Sequence, residues 1–125
     1  MHYLLLLNNA EPTDGALDET LVASFMAAFA KYADALDEAG VLVSAEVLEP
    51  SAATTTLTLR DGTVQIQDGP FADTKEKLAG VFIVDVPDLD AALAWAEQCP
   101  GAHYGVIEIR PTAVLYKDGK WQPSD

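Results

Sequence analysis

The sequence predicts an α+β fold, a ferredoxin-like sandwich with an inserted hairpin, on three observations. Its apolar segments follow the order strand, helix, strand, hairpin, strand, helix, strand, which is two split β-α-β halves sharing one sheet. The runs Tyr3–Leu7 and Leu78–Val86 are apolar at successive positions, the pattern of strands covered on both faces. Between the halves lies the stretch Gln67-Asp68-Gly69-Pro70-Phe71-Ala72-Asp73-Thr74-Lys75-Glu76, a dense mixture of turn formers and charges around one aromatic.

Each element has its own signal. Tyr3–Leu7 ends at Asn8-Asn9 and is a central strand; the loop Glu11-Pro12-Thr13-Asp14-Gly15 follows. Asp18 is placed to cap a helix whose buried stripe is Leu21, Phe25, Phe29, Tyr32 and Leu36, with Val22, Met26 and Ala33 beside it. Gly40 ends that helix in the left-handed conformation. In the strand Val41–Leu48, alternation sets Val41, Val43, Ala45 and Val47 on one face, and Leu42, Ser44, Glu46 and Leu48 on the other. Thr54–Arg60 and Thr63–Gln67 form a hairpin around Asp61-Gly62, with one face wetter than the other. Gly80 in the next strand admits close approach by another backbone. Asp88 caps a second helix with the stripe Leu89, Ala92, Leu93, Ala96 and Cys99, flanked by Trp95 and stopped by Pro100-Gly101. His103–Arg110 is the last core strand, with Gly105, Ile107 and Ile109 on one face and Tyr104, Val106, Glu108 and Arg110 on the other. The tail holds a short apolar piece, Ala113–Tyr116, a Lys117-Asp118-Gly119-Lys120 turn and Trp121.

Composition bounds the function. A chain of 125 residues, half of them hydrophobic, is one domain with a real core. Twenty acidic residues against seven basic ones give a net charge of −13, which disfavours nucleic acid and anionic membrane and leaves solubility or a basic protein partner. Cys99 is the single cysteine, so no intrachain disulfide or cysteine metal cluster forms; it reads as a small core residue in a reducing cytoplasm. Tyr3–Leu7 is too short for export or spanning. His2 and His103 belong to no metal-ligand motif, and no phosphate loop or nucleophile elbow occurs, so neither metal nor cofactor is expected.

Helices on one side of the sheet leave the other side bare, yet the first and fourth core strands are apolar there too. A homodimer packing sheet on sheet accounts for this; the alternative is that hairpin and tail fold back over the face. Alternation sets Glu46, Tyr104, Glu108 and Arg110 on that face, either with Arg110 in a structural ion pair or with the group lining a polar cavity.

Read physically, Asp68-Gly69-Pro70 is a turn in which the Asp side chain bonds back to nearby N–H groups, Phe71 anchors the loop in an apolar pocket and Thr74 is a local cap. The stretch Asp68–Ala96, DGPFADTKEKLAGVFIVDVPDLDAALAWA, with Gly40-Val41-Leu42 and Thr54-Thr55-Thr56, resembles the YCII-related family, specifically its DGPF-domain branch. The resemblance runs from Tyr3 to Pro111, so residues 1–111 are one α+β domain and 112–125 its C-terminal extension. It implies a dimeric α+β barrel of unassigned activity; some relatives are linked to transcription initiation through neighbouring sigma factors. The wider family has a His on the first helix and an acid near that helix's end. Phe29 and Glu38 stand at those places, which removes the near-neutral acid–base.

Two functions follow. One is a small polar or aromatic ligand bound in a cleft between the sheet and the loop, through Asp68, Phe71, Thr74, Lys75, Glu46, Tyr104, Glu108 and Arg110. If catalysis occurs there, Asp68 or Glu46 is the proton acceptor and Lys75 or Arg110 the anion partner. The other is a non-catalytic regulatory protein with a basic partner such as a sigma factor. A scaffold that has lost its enzyme chemistry is the third.

Overall fold

The apolar run at the start of the chain forms β1 (His2–Asn9), a central strand of a four-stranded antiparallel sheet. The structure is a computed structural model that describes residues 1–12 and 19–125; the expected cap at Asp18 and part of the preceding loop lie outside the described residues. The other strands of this sheet are β2 (Leu42–Val47), and two that come later in the chain. For these we reserve β5 (Lys77–Asp85) and β6 (Val106–Pro111), because the hairpin strands β3 (Thr55–Arg60) and β4 (Thr63–Asp68) intervene. The sheet order is β2-β5-β1-β6. Tyr3 lies opposite Val84 on one side and Pro111 on the other, Leu5 opposite Phe82 and Ile109.

Helices α1 (Glu19–Glu38) and α2 (Leu89–Glu97) pack on one face of this sheet. Tyr3, Leu5 and Leu7 meet Phe82 and Val84 there, under Tyr32 and Leu36 of α1 and Ala92 and Ala96 of α2, with Cys99 beside them. The Tyr32 hydroxyl donates to the Trp95 carbonyl at 2.7 Å, joining the helices, and burial pushes its phenol well above the usual range. Asp88 caps α2 by accepting from the Ala91 N–H at 2.9 Å, and Gly40 at φ 74° ends α1, both as expected. Cys99 is fully buried, and burial pushes its thiol upward.

The predicted stripes are only partly covered. Leu21, Val22 and Met26 in the first half of α1 are exposed, as are Leu89 and Leu93 of α2, while Trp95 packs against the core. A register shift between Leu42 and Ser44 moves Leu42 opposite Val84, onto the face shared with Ala45 and Val47. Simple alternation sets Leu42 on the wrong side because a bulge adds one residue. Gly80 and Gly105 are sites of close approach. A Cβ on Gly80 would lie 3.0 Å from the Glu46 carbonyl oxygen, and one on Gly105 only 2.3 Å from that of Asn8.

The β3–β4 hairpin is a separate two-stranded sheet, turned by Asp61-Gly62 at φ 50° and 76°. A second hairpin, β7 (Val114–Lys117) and β8 (Lys120–Pro123), turns at Asp118-Gly119 in the same way. It is tied to the start of β1, where the His2 N–H donates to Ser124 Oγ at 2.8 Å and Thr112 N–H to the His2 carbonyl at 2.9 Å. Neither hairpin hides its apolar face. Leu57, Leu59, Val64 and Ile66 share one side of the first, as their pairing requires, and all are more than half exposed. Val114, Tyr116 and Trp121 do the same on the second. The open face of the main sheet carries Leu4 and Leu6 of β1 opposite Ile83 and Val81 of β5. No helix among the described residues is long and apolar enough to cross a membrane.

Candidate functional site

Two hollows lie at one end of the sheet, where β1 and β2 finish and β5 begins, and both touch Asn8. The first, of about 510 Å³, separates the Asp68–Glu76 loop from the segment after β2. Pro70, Ala72, Thr74 and Glu76 form its loop side; Leu48, Pro50, Ser51 and Thr54 form the other.

The chain shapes this cleft with side chains bonded to backbone. Gly69, at φ 94°, donates its N–H to the Thr54 carbonyl at 2.8 Å, and Thr56 Oγ1 donates to the Gly69 carbonyl at 2.7 Å. The turn is thus held from β3, whereas the expected bond from the Asp68 carboxylate to its own loop is not made. Thr74 Oγ1 donates to the Glu76 carbonyl at 2.5 Å, which ties the loop locally but is not the N–H-accepting cap expected of it. On the far wall Ser51 donates through both N–H, at 2.6 Å, and hydroxyl to the two oxygens of Glu11, holding that carboxyl below its usual range. Lys77 Nζ pairs with Asp73 at 2.8 Å, and its hydrogen bond and charge hold the Asp73 carboxyl low.

One group in the cleft is left without a partner. Glu76 Oε2 is buried and accepts no hydrogen bond from any described residue. A buried carboxylate oxygen is costly unless a donor reaches it. Glu76 belongs to the stretch singled out in the sequence, but nothing in its spacing distinguished it from Lys75.

The second hollow, of about 280 Å³, lies between the first half of α1 and the sheet. Phe25 meets the Tyr104 ring at 5.3 Å between centroids, and Phe29 stacks on Phe82 at 6.3 Å. Burial, and secondarily the nearby Cys99, push the Tyr104 phenol upward. The sequence treated Phe25 and Phe29 as core and set Tyr104 on the open sheet face; what it lacked was any sign that the start of α1 stands clear of the sheet.

The residues expected to act together are dispersed. Thr74 is on the wall of the first cleft, while Asp68 and Lys75 are exposed on the loop. Phe71 is 84% exposed and anchors nothing, because the turn is fastened by Thr54 and Thr56 instead. Tyr104 precedes β6, in the turn after a short 3-10 segment (Pro100–His103), so strand alternation does not apply to it and its ring goes to Phe25. Glu108 and Arg110 do share the open face, opposite Leu6 and Leu4, and Glu46 is there opposite Val81. All three are exposed, and the expected structural ion pair of Arg110 is not found among the described residues. Among the described residues no group of three His, Cys, Asp or Glu is placed to hold a metal ion.

The sequence profile of the YCII-related domain matches residues 1–116. The chain belongs to the YCII-related family. An uncharacterized protein of Rhizobium meliloti (strain 1021) is 37% identical over 126 residues, covering 96% of this chain and 98% of that protein. Within this YCII-related chain, Phe29 occupies the wall of the second hollow and Glu38 is exposed at the last residue of α1. A phenyl ring in that hollow cannot exchange a proton, so the two positions form no acid–base pair.

Proposed function

We propose that this YCII-related chain, of the DGPF branch, is a cytoplasmic homodimer that binds a small polar molecule in the cleft beside the Asp68–Glu76 loop. The single observation that carries the ligand reading is Glu76 Oε2, buried in the cleft wall with no donor. A turn of the Glu76 side chain toward the cleft would bring that oxygen to a ligand N–H or O–H group, whose apolar or aromatic part lies against Leu48, Pro50 and Pro70. Thr74 fixes the loop that presents Glu76. Asp68, Phe71 and Lys75 are exposed on the same stretch of chain, open to a partner or an incoming ligand.

The dimer reading rests on surfaces. The order β2-β5-β1-β6 with both helices on one face supports a ferredoxin-like reading, in which the free sheet face is suited to close an α+β barrel with a second copy. That face bears Leu4, Leu6, Val81 and Ile83, rimmed by Glu46, Glu108 and Arg110, which pairs with no described residue. A two-fold axis lets Arg110 of each copy meet an acid of the other. The hairpin's outward Leu57, Leu59, Val64 and Ile66 add a second apolar surface needing cover. Neither hairpin nor tail spends its apolar side on its own sheet, which weakens the alternative of self-coverage.

The test is a thermal-shift titration with small amides, alcohols and amines. A stabilising ligand whose effect is lost in Glu76→Gln but kept in Glu38→Gln supports the reading. Absence of any shift, or one indifferent to Glu76→Gln, overturns it. A basic regulatory partner is the competing reading; it rests on charge alone, and its binding would collapse at high salt.

A further inference from the structure

The second hollow has a chemistry different from the first. Its walls are Phe25, Phe29, Phe82, Leu7 and the flexible Met26, and a volume of about 280 Å³ exceeds what one benzene ring needs, since a cavity of roughly 150 Å³ accepts benzene. Met26 is 68% exposed on the outer side, so the hollow is reached without unfolding the core. Glu46 touches it from β2, but its position opposite Val81 assigns its side chain to the other sheet face. Among the described residues the wall therefore has no charged side chain.

What polarity exists is neutral and unused. The Tyr104 hydroxyl has no hydrogen bond to a described residue. Asn8 and Asn9 each donate from the side-chain amide to a backbone carbonyl, Leu6 and Ala10 respectively, which leaves both Oδ1 atoms as free acceptors. Among the described residues an anion finds no cation here, and it meets a chain of charge −13; a cation finds no carboxylate among them.

We propose that this hollow is a binding site for a neutral aromatic ring bearing one hydroxyl or N–H group, of the phenol or indole class. The ring stacks among Phe25, Phe29 and Phe82, and its donor reaches Asn8, Asn9 or the Tyr104 oxygen at the mouth. Cys99 lies behind Gly101 and Phe29 and is fully buried, so the described lining offers the ring contact and neutral acceptors.

The experiment is a titration of the full chain with indole, followed by the methyl resonance of Met26, alongside benzoate and benzylamine as charged counterparts of similar size. Indole is expected to shift Met26, and both charged compounds to bind at least about tenfold more weakly, the scale of one lost or unsatisfied polar contact. Phe29→Trp, which fills the hollow, should abolish the shift. Met26→Trp closes the mouth from an exposed position that folding tolerates, and there retention of the Met1 signal and loss of indole-induced stabilisation are the readouts. Glu76→Gln should leave indole binding unchanged, which separates this site from the cleft beside the loop. An unmoved Met26 methyl at saturating indole, equal binding of benzoate, or undiminished stabilisation in both Trp variants overturns the proposal.

Discussion

Gly105 shows how little room the sheet leaves. A methyl group there would sit 2.3 Å from the Asn8 carbonyl oxygen, and backbone cannot step aside as a side chain can. Gly105→Ala is expected to destabilise the fold by about 1–3 kcal/mol, the usual scale of forced overpacking, as measured by urea unfolding. Asp85 makes a subtler prediction. The Met1 ammonium donates to its carboxylate at 2.8 Å and, chiefly through that hydrogen bond, holds the carboxyl below its usual range. Because the folded pKa is the lower one, the stabilisation is complete above the unfolded value of about 4 and disappears as pH falls through the folded value. Asp85→Asn should therefore lower Tm near neutrality and match the native chain in strong acid. The carboxylate is more than half exposed, so solvent screening keeps the difference small.

At the scale of elements, the β3–β4 hairpin is the one whose outer surface most needs explaining. Opposite partners Leu57–Ile66 and Leu59–Val64 make a continuous aliphatic strip that one chain leaves in water. If a second copy covers it, Leu57→Ser with Ile66→Ser should weaken dimerisation at least about 100-fold, since each buried aliphatic contributes about 1.5–3 kcal/mol. Circular dichroism of the isolated chain should be unchanged, and sedimentation would measure the loss. The strip also shows what sequence can and cannot convey. Alternation of threonine with leucine located both faces of this hairpin and its Asp61-Gly62 turn, and Asp88 and Gly40 announced their helix ends, because those signals are local. Which face meets solvent is set by the rest of the fold. The same limit explains Leu42, displaced by a bulge, and Tyr104, assigned to a strand it precedes. The loop beside the cleft was legible as special, but its fastening by Thr54 and Thr56 and the stranded Glu76 oxygen depend on contacts that no spacing encodes.

For the whole molecule, charge and apolar surface act in opposition. Two copies of −13 repel one another, while the open sheet face and the hairpins favour contact. Dimerisation should accordingly tighten when salt is raised from about 20 mM to about 300 mM, as the Debye length contracts across the interface. A salt-independent or salt-weakened dimer would mean that ion pairs, such as Arg110 with a partner acid, outweigh the net repulsion.

The pairing of β1 has a consequence for how the polypeptide matures. Its two neighbours are Lys77–Asp85 and Val106–Pro111, so both of its edges are satisfied only by strands far along the sequence, the first by β5 and the second later by β6. Among the described residues the helices, the short 3-10 segments and the two hairpins form from nearby residues, whereas the main sheet does not. Closing the sheet is then a late, non-local event, slow by the standards of helical bundles. Until it happens, an unpaired Leu4–Leu7 edge is the stretch a chaperone would find.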